Sequence, residues 1–261
     1  MERNESAPRP VGPPSAAVLD WVLHEHAIIP STNDVAASLP AWHAVRAAAQ
    51  TTGRGRWRRP WVSDPGGLWL SAVLPTPGEA ARWRALPLAV GLAVAQTVTA
   101  LGVAEARLRW PNDVLVGNRK LAGLLLDCFQ PGLTVAGIGV NVTNTPEITD
   151  DSLRDMTTRL ADLVTPIPGL DTLTDRLLGR LRSVHGAMEQ DGFAALLSEV
   201  NAFWRLPRRV ELELDHRRVA GWFQGVDAEG RMALGEGDRL DWFDPVEVMQ
   251  VREVNGAEPG S

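Results

Sequence analysis

The sequence predicts an α+β fold with a small separate β unit at its C-terminal end. Three observations carry this. Short apolar runs with period-two alternation, bounded by Gly, Pro and Asn, recur between residues 21 and 142. Two longer stretches, Arg82–Leu101 and Leu173–Met188, repeat apolar residues at helical spacing. After Pro207 the texture changes to closely spaced strand-like runs.

In chain order, Met1–Pro14 carries four prolines and polar residues without an apolar h-region, so it reads as a disordered tail and not a signal peptide. Trp21–Ile29 reads as a strand. Pro30-Ser31-Thr32-Asn33-Asp34 then opens a short helix, Val35–Ser38. Ser31 with Asp34 three residues later fits a capping box, with Asp in place of Glu or Gln. The same helix start would also offer N–H groups and hydroxyls to a polar ligand. Ala44–Gln50 is a second strand. Beyond it, Gly53-Arg54-Gly55-Arg56 alternates glycine with arginine, which lets backbone approach a ligand while guanidiniums converge on it. A flexible surface loop with an RNA role is the competing reading of that stretch.

Gly66-Gly67 turn the chain into a strand, Leu68–Leu74, with Trp69 and Ser71 on one face. Arg82–Leu101 is a largely buried helix whose Pro87 suits a first turn. Ala106–Trp110 alternates like a strand, and Trp110-Pro111-Asn112-Asp113 makes a rigid polar turn. Val114–Val116, Gly117-Asn118 and Arg119–Phe129 read as a hairpin, its second strand buried by Leu121, Leu124, Leu125 and Leu126. Leu133–Val142 is a further strand. Its Gly137-Ile138-Gly139-Val140-Asn141 is no dinucleotide fingerprint, since Val142 stands where a third glycine would be and no helix follows. Glycines in a strand mark close approach of a ligand or backbone. Thr143–Ser152 reads as a loose polar loop. Leu153–Leu163, Leu173–Met188 and Phe193–Trp204 read as helices. The last strands, Arg209–Leu214, Arg217–Val226, Arg231–Leu234, Asp238–Trp242 and Val246–Val251, suggest an SH3-like barrel beyond a boundary near Arg205–Arg208.

Charge and composition narrow the function. A formal net charge of −6 argues against general nucleic-acid affinity, yet Arg54, Arg56, Arg58 and Arg59 crowd one loop and point to a focused anion site. No apolar run of about 18 residues or more occurs, so no membrane span is expected. The single Cys128 fits a reducing cytoplasm and reads as a buried structural thiol. His24, His26, His43, His185 and His216 have no metal-ligand spacing, and no protein-bound metal is expected. Lys120 is the only lysine; every other residue of the 26 Lys plus Arg is arginine. Compositional drift would leave one lysine anywhere, but here it opens a strand beside the Asn112-Asp113 turn. A compact ammonium there is well placed to hold an anion.

Four pieces now stand in order: Ser31-Thr32-Asn33; Gln50 through Gly53-Arg54-Gly55-Arg56 to Trp61; Arg109-Trp110-Pro111-Asn112-Asp113 with Lys120-Leu121-Ala122-Gly123; and Gly137-Ile138-Gly139-Val140-Asn141. Together they resemble the biotin protein ligase family, from about Trp21 to Val251. The resemblance implies a mixed sheet flanked by helices, a class II synthetase-like catalytic domain over 21–205 and an SH3-like domain over 206–253, after a tail at 1–20. It implies activation of biotin by MgATP to biotinyl-5′-AMP, then transfer to a lysine of a biotin carboxyl carrier domain. Carried over by position, Lys120, Arg56 and Asp113 would be catalytic. Ser31, Thr32, Asn33, Gln50, Arg54, Gly55, Arg56 and Lys120 would bind biotin. Gly53, Arg54, Arg56, Trp61, Asn112 and Asn141 would meet ATP or the adenylate. Asp113 would orient or deprotonate the incoming amine; capping its own turn explains it equally well.

The sequence departs from the family at Trp57-Arg58, where Arg-Gly is usual, at Arg109, where Lys is usual, and at Pro30. About twenty residues precede the first strand, too few for the DNA-binding domain that some members carry, so no DNA partner is expected. Members often dimerise through the sheet edge. A paralogous ligase or transferase for lipoate or another acid shares the adenylate chemistry and stays open, as does a non-enzymatic RNA-binding module.

Overall fold

Buried strands with apolar residues on both sides dictate the centre of the architecture. In this computed structural model, which describes residues 21–145, 156–204 and 208–254, β1 (Val22–Ile29), β2 (His43–Gln50) and β3 (Leu68–Pro75) join four later strands. Those are β4 (Ala106–Arg109), β5 (Asp113–Val116), β6 (Arg119–Gln130) and β7 (Leu133–Val140). The sheet order is β1-β2-β3-β7-β6-β5-β4. β1 and β2 run parallel and the other neighbours antiparallel, so the sheet is mixed.

β3 shows why helices cover both faces. Leu68, Leu70, Ala72 and Leu74 point into a core shared with α2 (Leu86–Thr99) and α3 (Leu170–Asp191). Val73 points the other way, onto Ala36 of α1 (Thr32–Ala36), Val45 and Val135. Trp69 and Ser71 share that second face by strand alternation. Each fully buried leucine contributes about 1.5–3 kcal/mol, so a strand buried on both sides anchors the sheet.

The described C-terminal part is a five-stranded antiparallel sheet, ordered β11-β10-β9-β8-β12. It comprises β8 (Arg209–Leu214), β9 (Arg218–Val226), β10 (Met232–Glu236), β11 (Arg239–Phe243) and β12 (Val248–Val254). This is the SH3-like unit. It is bonded to the first sheet and the helices around it. The buried Arg107 guanidinium of β4 meets Glu253 of β12 through two bonds of 2.6 Å, and Arg208 adds a third at 3.0 Å. Trp110 Nε1 donates to the Gly230 carbonyl at 3.0 Å. Asn201 of α4 (Leu197–Ala202) bonds both the N–H and the carbonyl of Val226.

Several sequence expectations change. The short helix starts at Thr32 and ends at Ala36. Ser31 has the extended backbone of an N-cap but makes no side-chain cap bond, and the reciprocal half of the box is also missing because the Asp34 carboxylate pairs with Arg54 at 2.5 and 2.9 Å. The helix expected over Leu153–Leu163 is not formed in its described part. Backbone bonds from Lys120 N to Met156 O (2.7 Å) and from Thr158 N to Lys120 O (3.0 Å) hold it extended against β6. Only Leu160–Asp162 closes a 3-10 turn. A sheet edge offering paired backbone groups outweighs helical spacing here. Cys128 is exposed, not buried, because the β6–β7 register shifts between Asp127 and Gln130 and turns the strand end outward. Leu125 is only partly buried and lines a cavity instead of the core. The tail at 1–20, the polar loop from 146 and the expected boundary at 205–207 lie outside the described residues. Among the described residues, no helix is long and apolar enough to cross a membrane.

Removing Glu253 strands a buried guanidinium. Glu253→Ala should therefore cost about 3 kcal/mol, while Arg208→Ala, at the more exposed end of the cluster, should cost about 1 kcal/mol or less. Chemical denaturation of the two variants beside the parent chain checks this order.

Candidate functional site

Three glycines open the site. In the register, Gly123 of β6 faces Gly139 of β7, and Gly137 lies opposite Ser71 of β3. All sit on the α1 face of the sheet, and their missing side chains leave a trough. Side chains from elsewhere lie in it. A Cβ at Gly139 would come within 2.7 Å of Trp61 Nε1, and one at Gly123 within 3.0 Å of both Trp61 and Lys120. At Gly137 a Cβ would overlap the Asn33 amide. The close approach expected for these glycines is therefore made by Trp61 and Asn33.

The trough is the floor of a cavity of about 1360 Å³. At one end stands a charge cluster built by the β4–β5–β6 hairpins. Lys120 Nζ lies 2.7 Å from Asp113 Oδ1, and Arg109 Nη2 lies 2.6 Å from Asp113 Oδ2. Burial alone would push the Asp113 carboxyl up. The two cations outweigh it and hold the group below its ordinary 3.8. Lys120 also stands 4.8 Å from the centre of the Trp61 ring, in cation–π range. Trp61 Nε1 is buried with no hydrogen-bond partner.

At the other end lie Ser31, Thr32, Asn33 and Gln50, the first three buried. The Thr32 N–H and Oγ1 lie 2.7 and 3.0 Å from Gln50 Oε1, and Gln50 Nε2 donates to Ser63 Oγ at 2.8 Å. A polar floor is thus fixed before any ligand is considered.

The arginine loop closes the side. Arg54 pairs with Asp34. Arg56 Nη2 donates to the carbonyls of Pro245 and Val248, at 2.7 and 3.0 Å, across the boundary to the C-terminal sheet. Burial lowers the Arg56 proton affinity, and the Asp113 charge raises it in part. Both guanidiniums line the Lys120 cavity, yet each is held by protein groups.

Most of the expected site residues meet in this one cavity: the Ser31-Thr32-Asn33 turn, Gln50, Arg54, Gly55, Arg56, Trp61, Asn112, Asp113, Lys120 and Asn141. Gly53 does not; it lines an adjoining pocket of about 790 Å³ outside the loop. Asn112 and Asn141 use their amides on backbone, donating to Leu124 O (2.9 Å) and Thr158 O (3.2 Å). Sequence reading missed the Met156–Thr158 segment that grips the Lys120 backbone, and the β8, β9 and β12 residues that complete the wall, Trp222 and Gln250 among them. The β-branched pair Thr157-Thr158 was the one local hint of an extended segment. Nothing local could place β12 beside the arginine loop.

Residues 27–144 match the family model described as the biotin/lipoate A/B protein ligase family. A biotin–[acetyl-CoA-carboxylase] ligase of Mycobacterium tuberculosis is 34% identical over 218 residues, which is 78% of this chain and 77% of that protein. The chain belongs to the biotin protein ligase family. The bifunctional ligase/repressor BirA of Salmonella typhimurium is 28% identical, over 79% of this chain and 67% of that one. Among solved structures, the biotin protein ligase from Aquifex aeolicus in complex with biotin and ATP has the same fold. Its TM-score is 0.79, over 89% of this chain and 99% of that chain, at 23% identity.

Within the biotin protein ligase pattern, the Trp57-Arg58 departure has a backbone consequence. Trp57 and Arg58 hold φ of 58° and 56°, the left-handed region where glycine is favoured. Arg58 occupies the position where the family usually has glycine.

Two outcomes are expected. Gly139→Ala should expel Trp61 from the trough and weaken ligand binding at least tenfold while the melting temperature changes little; titration beside thermal unfolding reads both. Asp113→Asn leaves Lys120 and Arg109 facing each other and should cost about 3 kcal/mol at neutral pH. The folded carboxyl titrates below its unfolded value, so its contribution is present above about pH 4 and is lost as pH falls through the folded value. The stability gap between parent and variant should narrow on acidification, as measured by unfolding at stepped pH.

Proposed function

We propose that this chain activates biotin with MgATP and transfers it to a lysine of a biotin carboxyl carrier domain. The observation that carries the reading is the Lys120–Asp113–Arg109 cluster, which fixes a lone ammonium at the head of a cavity with a polar floor. In the first step a biotin carboxylate oxygen bonds to the α-phosphorus, and the bond to pyrophosphate breaks. In the second, the carrier amine attacks the acyl carbon, AMP leaves with the bonding electrons, and the amine gives up a proton.

Two anions meet in the first step, so fixed cations are its main requirement. Lys120 would hold the biotin carboxylate and the developing acyl-phosphate oxygens. Arg54 and Arg56 would exchange Asp34 and the Pro245 and Val248 carbonyls for phosphate, drawing the Gly53–Arg59 loop over the adenylate. Closure matters because water would hydrolyse the mixed anhydride. Ser31, Thr32, Asn33 and Gln50 would meet the polar ring of biotin, with Gly55 giving the backbone close approach. Trp61 would pack on the adenylate, and Asn112 and Asn141 would border the adenine. Gly53, on the outer side of the loop, would act as its hinge. A carboxyl held below its ordinary range is a poor proton acceptor, so Asp113 would orient Lys120 and the incoming amine more than deprotonate it. The single exposed thiol and the ATP requirement suit the cytoplasm. β1 ends the sheet order, and pairing of two copies along it would give a homodimer.

Pyrophosphate release should require biotin and fail with lipoate. Lys120→Arg, which replaces a point charge by a wide fork, should slow adenylation by about 10²–10³-fold with the fold retained by circular dichroism. Release with lipoate alone would overturn the choice of acid, and normal turnover by the variant would overturn the role of Lys120.

A further inference from the structure

Behind the polar floor runs a chain of hydrogen bonds that ends outside the cavity. Asn33 Nδ2 donates to Asp127 Oδ2 at 2.8 Å and, more weakly, to Leu125 O at 3.4 Å. Asn33 Oδ1 accepts from Ser71 Oγ at 2.6 Å, and Ser71 Oγ lies 2.7 Å from Thr32 Oγ1. Thr32 and Asn33 line the cavity, whereas Ser71 and Asp127 do not. Ser71 is fully buried. Gly137 is what allows the Asn33 amide to lie flat on β7 in reach of both partners.

The direction of the protons along this chain is not arbitrary. An ionised aspartate accepts and cannot donate, so it selects the NH₂ end of the Asn33 amide. The amide oxygen is thereby turned to Ser71. A serine has one proton, and an amide oxygen can only accept it, so the Ser71 proton goes to Asn33. Ser71 then has none to give to Thr32. The Gln50 amide is oriented independently, because its Oε1 faces the Thr32 N–H and its Nε2 reaches Ser63, which donates to the Trp61 carbonyl. Gln50 Oε1 is an acceptor as well. Thr32 Oγ1 therefore sits between two acceptors, gives its proton to one of them, and keeps its lone pairs for a donor.

We propose that Asp127 is a positioning residue that sets substrate specificity: it polarises the chain Thr32–Ser71–Asn33, so that Thr32 Oγ1 presents an acceptor and selects a substrate ring carrying an N–H. This rests on the biotin reading, because a cyclic urea supplies that N–H and the dithiolane of lipoate does not. If the amide flipped, Nδ2 would donate to Ser71 and Ser71 to Thr32; the Thr32 proton, no longer accepted by Ser71, could then go only to Gln50 or to the ligand, in place of a lone pair. Asp127 thus acts at a distance from the ligand by choosing which end of an amide faces inward.

The test uses the full chain and biotin itself, without ATP, so that binding is read apart from chemistry. Asp127→Asn restores an NH₂ group able to face Asn33 and lets the amide flip. Its dissociation constant for biotin should rise about tenfold, the worth of one net hydrogen bond. The KM for biotin should rise alike, and kcat at saturating biotin should stay within about twofold. The preference for biotin over an analogue methylated on both ring nitrogens should shrink by a similar factor. Ser71→Ala cuts the same chain at its middle, so the Asp127→Asn/Ser71→Ala pair should lose little more than either single change. Unchanged biotin affinity in Asp127→Asn, an undiminished preference against the methylated analogue, or additive losses in the pair would each overturn the inference. Failure of the biotin reading looks different: the parent chain itself would not bind biotin, and both proposals would fall.

Discussion

A buried carboxylate between two cations is the constraint on which the site depends. Asp113 cannot be buried at the start of β5 without Lys120 and Arg109, and neither cation can lie so close to the other without Asp113. The β4–β5 and β5–β6 hairpins bring the three together, and the Met156–Thr158 segment grips the Lys120 backbone from the far side. The ammonium is therefore positioned by covalent geometry and charge at once, before any substrate contributes. That arrangement suits chemistry in which negative charge grows at one place.

A second constraint joins the two sheets. Arg107 is buried in the catalytic half and finds its carboxylate, Glu253, in the C-terminal half. Arg56 leaves the glycine-rich loop to reach carbonyls at Pro245 and Val248. The C-terminal sheet thus forms part of the cavity wall as well as an accessory unit, and the arginine loop is tied to it at the residue expected to act on phosphate. Loop position and domain docking share one set of bonds.

Local pattern carried much of this. Period-two runs located the strands within three residues at either end, and Pro87 marked the start of α2. Gly137 and Gly139 announced a close approach inside a strand, and the lone lysine pointed to the charge cluster. What stayed hidden depends on partners far away in the chain. Leu153–Leu163 has helical spacing, yet its described residues lie extended because β6 offers backbone partners some forty residues earlier. Cys128 sits in an apolar run, and only the register shift that follows Asp127 explains its exposure. Nothing in the local sequence marks Asp127. Its importance emerges once Asn33, ninety-four residues away in sequence, is beside it.

The arginine-for-lysine bias that first drew attention to position 120 has a chemical corollary. Acyl phosphates acylate amines, and guanidinium groups are far poorer nucleophiles. On the proposed reading, a mixed anhydride escaping the cavity meets basic side chains that, Lys120 apart, are all arginine. The one lysine of the 261 residues is bound to a carboxylate. The side chains of this protein are therefore poor acceptors for its activated product.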